Sequence, residues 1–90
     1  MRVIRRYEIP IDVDIYTLKV PKGYRILSLK DEDNVAALYC EVSEHRDPID
    51  VTIMVFGTEA TIPPGSTLKY IGSVWFYETL LPLHYYYELF

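Results

Sequence analysis

The most constraining feature of this sequence is a run of strand-forming residues that ends abruptly at a glycine. Every position from Val51 to Phe56 is β-branched, aromatic or methionine, which favours a strand with both faces covered. Gly57 ends the run, and a glycine there permits a sharp turn or the close approach of another group. The segment Pro63-Pro64-Gly65 excludes regular strand pairing, and a second strand then begins at Thr67.

Shorter runs of the same character occur along the whole chain, bounded by proline, glycine or aspartate. They predict an all-β fold, a small single-domain barrel or sandwich of six to seven mostly antiparallel strands. No window has a convincing helical stripe. The third and fourth strands are expected to pair as a hairpin. The predicted strands cover residues 3–9, 14–20, 24–30, 35–42, 51–56, 67–77 and 83–90.

Length and composition fit one folded domain over residues 1–90. Half of the residues are hydrophobic and 14% are aromatic, including nine tyrosines. Tyrosine suits both strands and interfaces, because its ring packs while its hydroxyl finds a polar partner. Two interpretations therefore stay open for the tyrosines, a small β core or an aromatic binding surface. The net charge of −4 argues against binding to duplex nucleic acid, which requires many neutralised phosphates.

The single cysteine, Cys40, has no partner for an internal disulfide, which indicates a reducing, cytosolic compartment. No stretch approaches the roughly 20 apolar residues of a membrane helix. The charged first residues, with no long apolar run behind them, do not resemble a signal peptide. We therefore expect no membrane association.

Catalytic and metal-binding patterns are not found in the sequence. His45 and His84 lie far apart, and with one cysteine they form no zinc-ligand pattern. The carboxylate pairs Asp12 with Asp14 and Asp31 with Asp33 fall in polar turns, which favours solvated loops. Nothing matches a nucleophile elbow, a phosphate-binding loop or a catalytic triad. The expectation is a protein that is not an enzyme and uses no cofactor or metal.

The order of several short segments resembles a family of short proteins encoded by tailed bacteriophages. Members share patterns that read roughly P-x-G-x-x-I-L-S, I-x-G-T-x-x-x-I-P and Y-I-G-T, with an aromatic strand between the first two and an aromatic tail. The acidic turn at residues 31–34 and the very tyrosine-rich tail depart from that pattern. The matching segments are Pro21–Ser28, Leu38-Tyr39, Val55–Thr58, Ile62-Pro63 and Tyr70–Ser73.

This family is similar in size and setting to viral sponge proteins that counter cyclic-nucleotide immune signalling, the anti-CBASS proteins. The resemblance implies a viral anti-defence protein in the host cytoplasm. It would sequester a cyclic di- or oligonucleotide signal without cleaving it. The alternative is a phage accessory module for protein–protein interaction, with a tyrosine-rich surface and no small-molecule ligand.

For the ligand, the sequence predicts an anion pocket between the first strand and the loop after Phe56. Charge and a stacking face would come from Arg5-Arg6-Tyr7, the densest group of cations. The phosphate would be lined by Gly57, Thr58 and Thr61. The second choice is the tyrosine-rich C-terminal strand together with Tyr70 and Trp75.

The C-terminal tyrosines also predict a homo-oligomer, most simply a two-fold dimer. Consecutive Tyr85-Tyr86-Tyr87 cannot all point into one core, because alternate strand residues face opposite ways. A tyrosine on the outer face favours a partner subunit, and closed two-fold symmetry is the commonest arrangement.

Overall fold

The computed structural model describes residues 1–65 and 67–88 as two antiparallel β-sheets. All strand pairings are antiparallel, so the predicted all-β fold is confirmed, and of the two predicted architectures the two sheets form the sandwich. In the described part of the chain, no helix is long and apolar enough to cross a membrane. The strands are β1 (Arg2–Ile9), β2 (Ile15–Pro21), β3 (Arg25–Glu32), β4 (Val35–Ser43), β5 (Pro48–Gly57), β6 (Leu68–Val74) and β7 (Leu83–Glu88).

One sheet has three strands in the order β1-β4-β3, and the other has four in the order β2-β5-β7-β6. The predicted hairpin of β3 and β4 is confirmed. Its turn places Asp33 and Asn34 at φ values of 53° and 62°, a conformation that aspartate and asparagine tolerate better than most residues. The Asn34 backbone N–H donates to Asp31 Oδ1 at 3.0 Å, which fixes the turn.

The core lies between the two sheets, and alternate residues supply it most clearly in β5. In β5, the buried positions are Val51, Ile53 and Val55, whereas Thr52, Met54 and Phe56 are half-buried. The expectation that both faces of this strand are covered is therefore confirmed only in part: the inner face is buried and the outer face is half-buried. A two-layer domain covers only the inner face of each sheet. The largest fully buried side chains include Ile9, Leu38, Ile53, Phe76 and Tyr85.

The sixth strand ends earlier than its aromatic sequence predicts. β6 stops at Val74, and a turn replaces the expected strand up to Tyr77. The backbone N–H and the side-chain hydroxyl of Thr79 both donate to the Phe76 carbonyl, at 3.1 and 3.0 Å. Trp75 Nε1 donates to the Thr79 carbonyl at 3.0 Å. These local bonds outcompete strand pairing. Residues 89–90 of the predicted last strand lie outside the described residues.

Candidate functional site

The two predicted arginines of β1 are already paired with carboxylates. Arg5 forms an ion pair with Glu44. The Arg6 guanidinium lies 2.8 Å from Glu8 and 2.7 Å from Glu32, and hydrogen bonds to these two carboxylates raise the pKa of Arg6. An incoming phosphate would have to displace these partners.

Glu32 connects Arg6 to a tyrosine on the neighbouring strand. The Tyr39 hydroxyl donates to Glu32 Oε2 at 2.5 Å. This bond, followed by the one from Arg6, lowers the pKa of Glu32. The same contact raises the pKa of Tyr39, and the Lys30 ammonium lies 5.9 Å from the Tyr39 ring centroid. The outer face of the three-stranded sheet therefore carries an internally neutralised charge network.

Tyr7, the third predicted residue of β1, packs against the hydrophobic core. Burial, followed by the neighbouring Cys40, raises the pKa of Tyr7. The Tyr7 ring is half-buried, so only part of it is available to stack with a ligand.

Gly57, Thr58 and Thr61 lie at the end of β5 and in the loop after it, on the other sheet. A Cβ at Gly57 would meet nothing within 4 Å, so the fold itself does not need glycine there. The positive backbone φ in this turn is at Glu59, at 73°. Thr58 Oγ1 donates to the Pro82 carbonyl at 2.9 Å, and Thr61 is exposed.

The structure therefore places Arg5, Arg6 and Tyr7 on the three-stranded sheet, and Gly57, Thr58 and Thr61 at the end of β5 of the other sheet and in the loop after it. Within residues 1–65 and 67–88, no hydrogen bond or ion pair joins the β1 group to the β5 group. A pocket formed by both groups stays a prediction.

A groove with a volume of about 490 Å³ lies elsewhere, between β3 and the strands β6 and β7. We call it the seam groove, because β3 and β6 are edge strands of the two different sheets. Three tyrosines and one arginine dominate its walls. Its lining residues are Tyr24, Arg25, Ile26, Leu27, Ser28, Tyr70, Ile71 and Tyr87.

Both edge strands are irregular where they border this groove. The pairing of β3 shifts register between Ile26 and Ser28, and that of β6 shifts between Tyr70 and Gly72. A β-bulge bends its strand and leaves one residue unpaired, and bulges are common at binding sites. Here the unpaired residues, at positions 27 and 71, both line the groove.

The tyrosines of the seam groove offer both ring faces and hydroxyl groups. Tyr24 and Tyr87 meet edge to face, with ring centroids 6.3 Å apart. Burial, then the neighbouring Tyr87 and Cys40, raises the pKa of Tyr24 above its ordinary value of 10.0. Tyr70 is 57% exposed. The groove therefore presents surfaces on which a planar ring can stack.

Free positive charge is also found at this seam. Arg25 lines the groove, and Lys69 precedes Tyr70 on β6. Within the described ranges, neither cation forms an ion pair, whereas Arg2, Arg5, Arg6 and Lys19 all do. Arg25, which lines the groove, is therefore available to an anionic ligand without the loss of an internal partner, and Lys69 is a second such cation next to a lining residue in the chain.

The sequence pointed to only part of this groove. Tyr70 belongs to the second predicted site, and Gly72 in the middle of a strand was a signal for a bulge. Tyr24 and Arg25 were missed, because the bulge at Leu27 has no glycine or proline to mark it. Among the residues that the structure describes, no group of three or more histidine, cysteine, aspartate or glutamate side chains is placed to hold a metal ion.

Comparison with protein families matches residues 1–89 to a domain of unknown function (DUF7352). No match was found among curated proteins or solved structures.

Proposed function

This chain belongs to the DUF7352 family, and we propose that it binds a nucleotide in the seam groove. The observation that carries the proposal is the combination of three tyrosines with an arginine that has no ion-pair partner in the described part of the chain. Aromatic rings bind nucleobases by stacking, and arginine pairs with phosphate through two parallel hydrogen bonds.

The proposed ligand is a cyclic di- or oligonucleotide immune signal, which the protein sequesters without cleavage. A groove of about 490 Å³ falls within the range of roughly 300–1,000 Å³ that is typical of small-ligand sites. Tyr24, Tyr70 and Tyr87 supply stacking surfaces, and Arg25 with Lys69 supplies charge. The resemblance to bacteriophage proteins favours this ligand class and an action in the host cytoplasm.

Calorimetric titration with a panel of cyclic di- and trinucleotides and one linear mononucleotide tests the proposal. Arg25→Ala should weaken the best ligand at least about tenfold, because a hydrogen bond to a charged group contributes about 1.5–3 kcal/mol. Arg6→Ala is the matched control, since its guanidinium is held by Glu8 and Glu32. Chromatography of the recovered ligand should show it intact.

The two variants also separate the two candidate sites. A loss of affinity in Arg6→Ala, with Arg25→Ala unchanged, would move the site to the pocket predicted on β1. If no member of the panel binds, the nucleotide proposal fails.

A protein–protein interaction module is the second candidate function. The loop between β6 and β7 supports it, because apolar side chains there are displayed to solvent. Exposed fractions are 63% for Trp75, 98% for Tyr77, 93% for Leu80 and 48% for Leu81. Exposed aromatic residues are frequent anchors of protein interfaces. Nucleotide binding that survives Tyr77→Ser would show that this loop is not needed for the first function.

A further inference from the structure

The positive charge that lacks a carboxylate partner is concentrated at one corner of the molecule. Of the nine lysine and arginine residues, those with an ion pair in the described part of the chain are Arg2, Arg5, Arg6 and Lys19. Three of the others lie in or against the turn between β2 and β3, namely Lys22, Arg25 and Arg46. In a chain with a net charge of −4, this corner is where an anion meets the least repulsion.

Backbone hydrogen bonds hold Arg46 against this turn. The Lys22 N–H donates to the Asp47 carbonyl at 2.8 Å, and the Arg46 N–H donates to the Ser43 carbonyl at 3.0 Å. These bonds fix the loop between β4 and β5 beside the turn between β2 and β3. The Arg46 guanidinium then lies over Gly23, where a Cβ would be 3.6 Å from Nη1 and 4.0 Å from Cζ.

The same turn leads directly into the seam groove. Gly23 is followed by Tyr24 and Arg25, which both line the groove. The Cα atoms of Gly23 and Arg25 are at most about 7.6 Å apart, because they are separated by two peptide units. Arg2 Nη2 donates to the Gly23 carbonyl at 2.9 Å, which holds the turn in place. The guanidinium groups of Arg25 and Arg46 are therefore carried at neighbouring positions of one fixed turn.

The carboxylates around this corner do not neutralise the two guanidinium groups. Two of these carboxylates are already paired, Glu41 with Arg2 and Glu44 with Arg5. Asp47 follows Arg46 in the chain and is exposed, and it forms no ion pair within residues 1–65 and 67–88. Its charge opposes an anion at this corner, so Asp47 offers a test of whether an anion binds there.

We propose that Arg46 binds a second phosphate group of the nucleotide whose first phosphate pairs with Arg25. The inference rests on the nucleotide site proposed for the seam groove, and it selects ligands with two phosphate groups over mononucleotides. Guanidinium groups bind phosphate oxygens through paired hydrogen bonds. Because the turn that carries both arginines is already fixed, little ordering is needed when such a ligand binds.

Calorimetric titration with the nucleoside monophosphate, the nucleoside diphosphate and the cyclic dinucleotide of adenine and of guanine tests this contact. The wild type should bind a two-phosphate form more tightly than the monophosphate, and the linear and cyclic forms show whether adjacent or separated phosphates are bound. Arg46→Ala should weaken that form about three- to fivefold, the range of exposed ion pairs, and should weaken the monophosphate less. Asp47→Asn should strengthen it. The matched control is Lys19→Ala, which also removes one positive charge, but one that Asp50 already holds at 2.7 Å.

These variants change exposed positions, so circular dichroism should show that all of them fold. The second-phosphate contact is overturned if Arg46→Ala binds the two-phosphate form as tightly as Lys19→Ala does, or if it weakens the monophosphate equally. In either case a loss of affinity in Arg25→Ala would still support the nucleotide site itself. If none of these nucleotides binds the wild type, the nucleotide site fails, and the contact of Arg46 with a second phosphate fails with it.

Discussion

Ser73 Oγ and His84 Nδ1 lie 2.5 Å apart across β6 and β7, within a chain of hydrogen bonds that has a fixed direction. The single proton of the Thr58 hydroxyl goes to the Pro82 carbonyl at 2.9 Å. Thr58 Oγ1 must therefore accept from His84 Nε2 at 2.9 Å. Neutral His84 then has an unprotonated Nδ1, which accepts from Ser73. Ser73 in turn accepts from the Tyr70 hydroxyl at 2.6 Å.

We predict that neutral His84 is the Nε2–H tautomer. Thr58→Val removes the hydroxyl that accepts the His84 Nε2 proton and donates to the Pro82 carbonyl. This change should lower the free energy of unfolding by about 0.5–1.5 kcal/mol. Thr58→Ser keeps the hydroxyl and should retain most of the stability. Nitrogen-15 NMR of the imidazole reports the tautomer, and urea denaturation reports the stability. A proton on Nδ1 of the neutral ring would contradict the assigned direction.

The second prediction concerns stability in acid. The pKa of Glu32 is lowered in the folded state, first by the Tyr39 hydroxyl and then by Arg6. A depressed carboxyl pKa contributes stability above the unfolded-state value and loses it as the pH falls through the folded-state value. Glu32→Gln should therefore be less stable than wild type at neutral pH, and the gap should narrow as the pH falls below the ordinary value of 4.5.

Urea denaturation across that pH range measures the gap. Glu78→Gln is the control, because Glu78 is exposed in the turn after β6. A gap between wild type and Glu32→Gln that does not change with pH would show that the carboxylate charge of Glu32 is not the cause.

The third prediction concerns stability in alkali. Burial raises the pKa of Tyr85 to about 12 from an ordinary value of 10.0. Between these values the unfolded chain has lost the tyrosine proton while the folded protein keeps it. Unfolding therefore releases a proton, and stability should fall by about 1.4 kcal/mol for each pH unit in this window. Burial likewise raises the pKa of Cys40 to about 11 from 9.0, so the decline should begin near pH 9.

Tyr85→Phe should make the decline above pH 10 shallower, although the raised pKa values of Cys40, Tyr7, Tyr24 and Tyr39 still contribute to it there. It should also stabilise the protein at neutral pH by about 1 kcal/mol, because the buried Tyr85 hydroxyl has no hydrogen-bond partner among the described residues. Tyr77→Phe is the control, since Tyr77 is 98% exposed. Guanidinium denaturation at several pH values measures both effects. A Tyr85→Phe variant that is less stable than wild type at neutral pH would show that the hydroxyl is satisfied.

Local patterns in the sequence predicted most of the strands and turns of the fold. The run from Val51 to Phe56 and the polar turn at residues 31–34 predicted β5 and the β3–β4 hairpin, since both depend on neighbouring residues. The aromatic segment after Val74 was predicted as strand, but bonds from Thr79 to Phe76 turn the chain there. Composition alone gives no measure of that competition between a turn and a strand.

The seam groove could not be predicted from local sequence patterns, for a different reason. It exists because β3 and β6, which belong to different sheets, come together at their edges. This packing of two sheet edges brings together residues such as Tyr24 and Tyr70, which both line the groove and are far apart in the chain. Likewise, the arginine cluster of β1 was visible in the sequence, but the carboxylates that neutralise Arg5 and Arg6 come from other segments.

The last prediction concerns Gly72, where β6 approaches β3. A Cβ at this position would lie 3.7 Å from Leu29 Cβ and 3.8 Å from Leu29 Cδ2, which is ordinary contact. Gly72→Ala should therefore be tolerated. Gly72→Val adds two methyl groups against Leu29 and should lower the free energy of unfolding by about 1–3 kcal/mol, the range for overpacking. Gly57→Val is the matched control, because a Cβ there meets nothing within 4 Å. Urea denaturation of the three variants should rank Gly72→Val as clearly the least stable. If Gly57→Val costs as much, the loss reflects valine in place of glycine in general, and the contact with Leu29 does not hold the seam together.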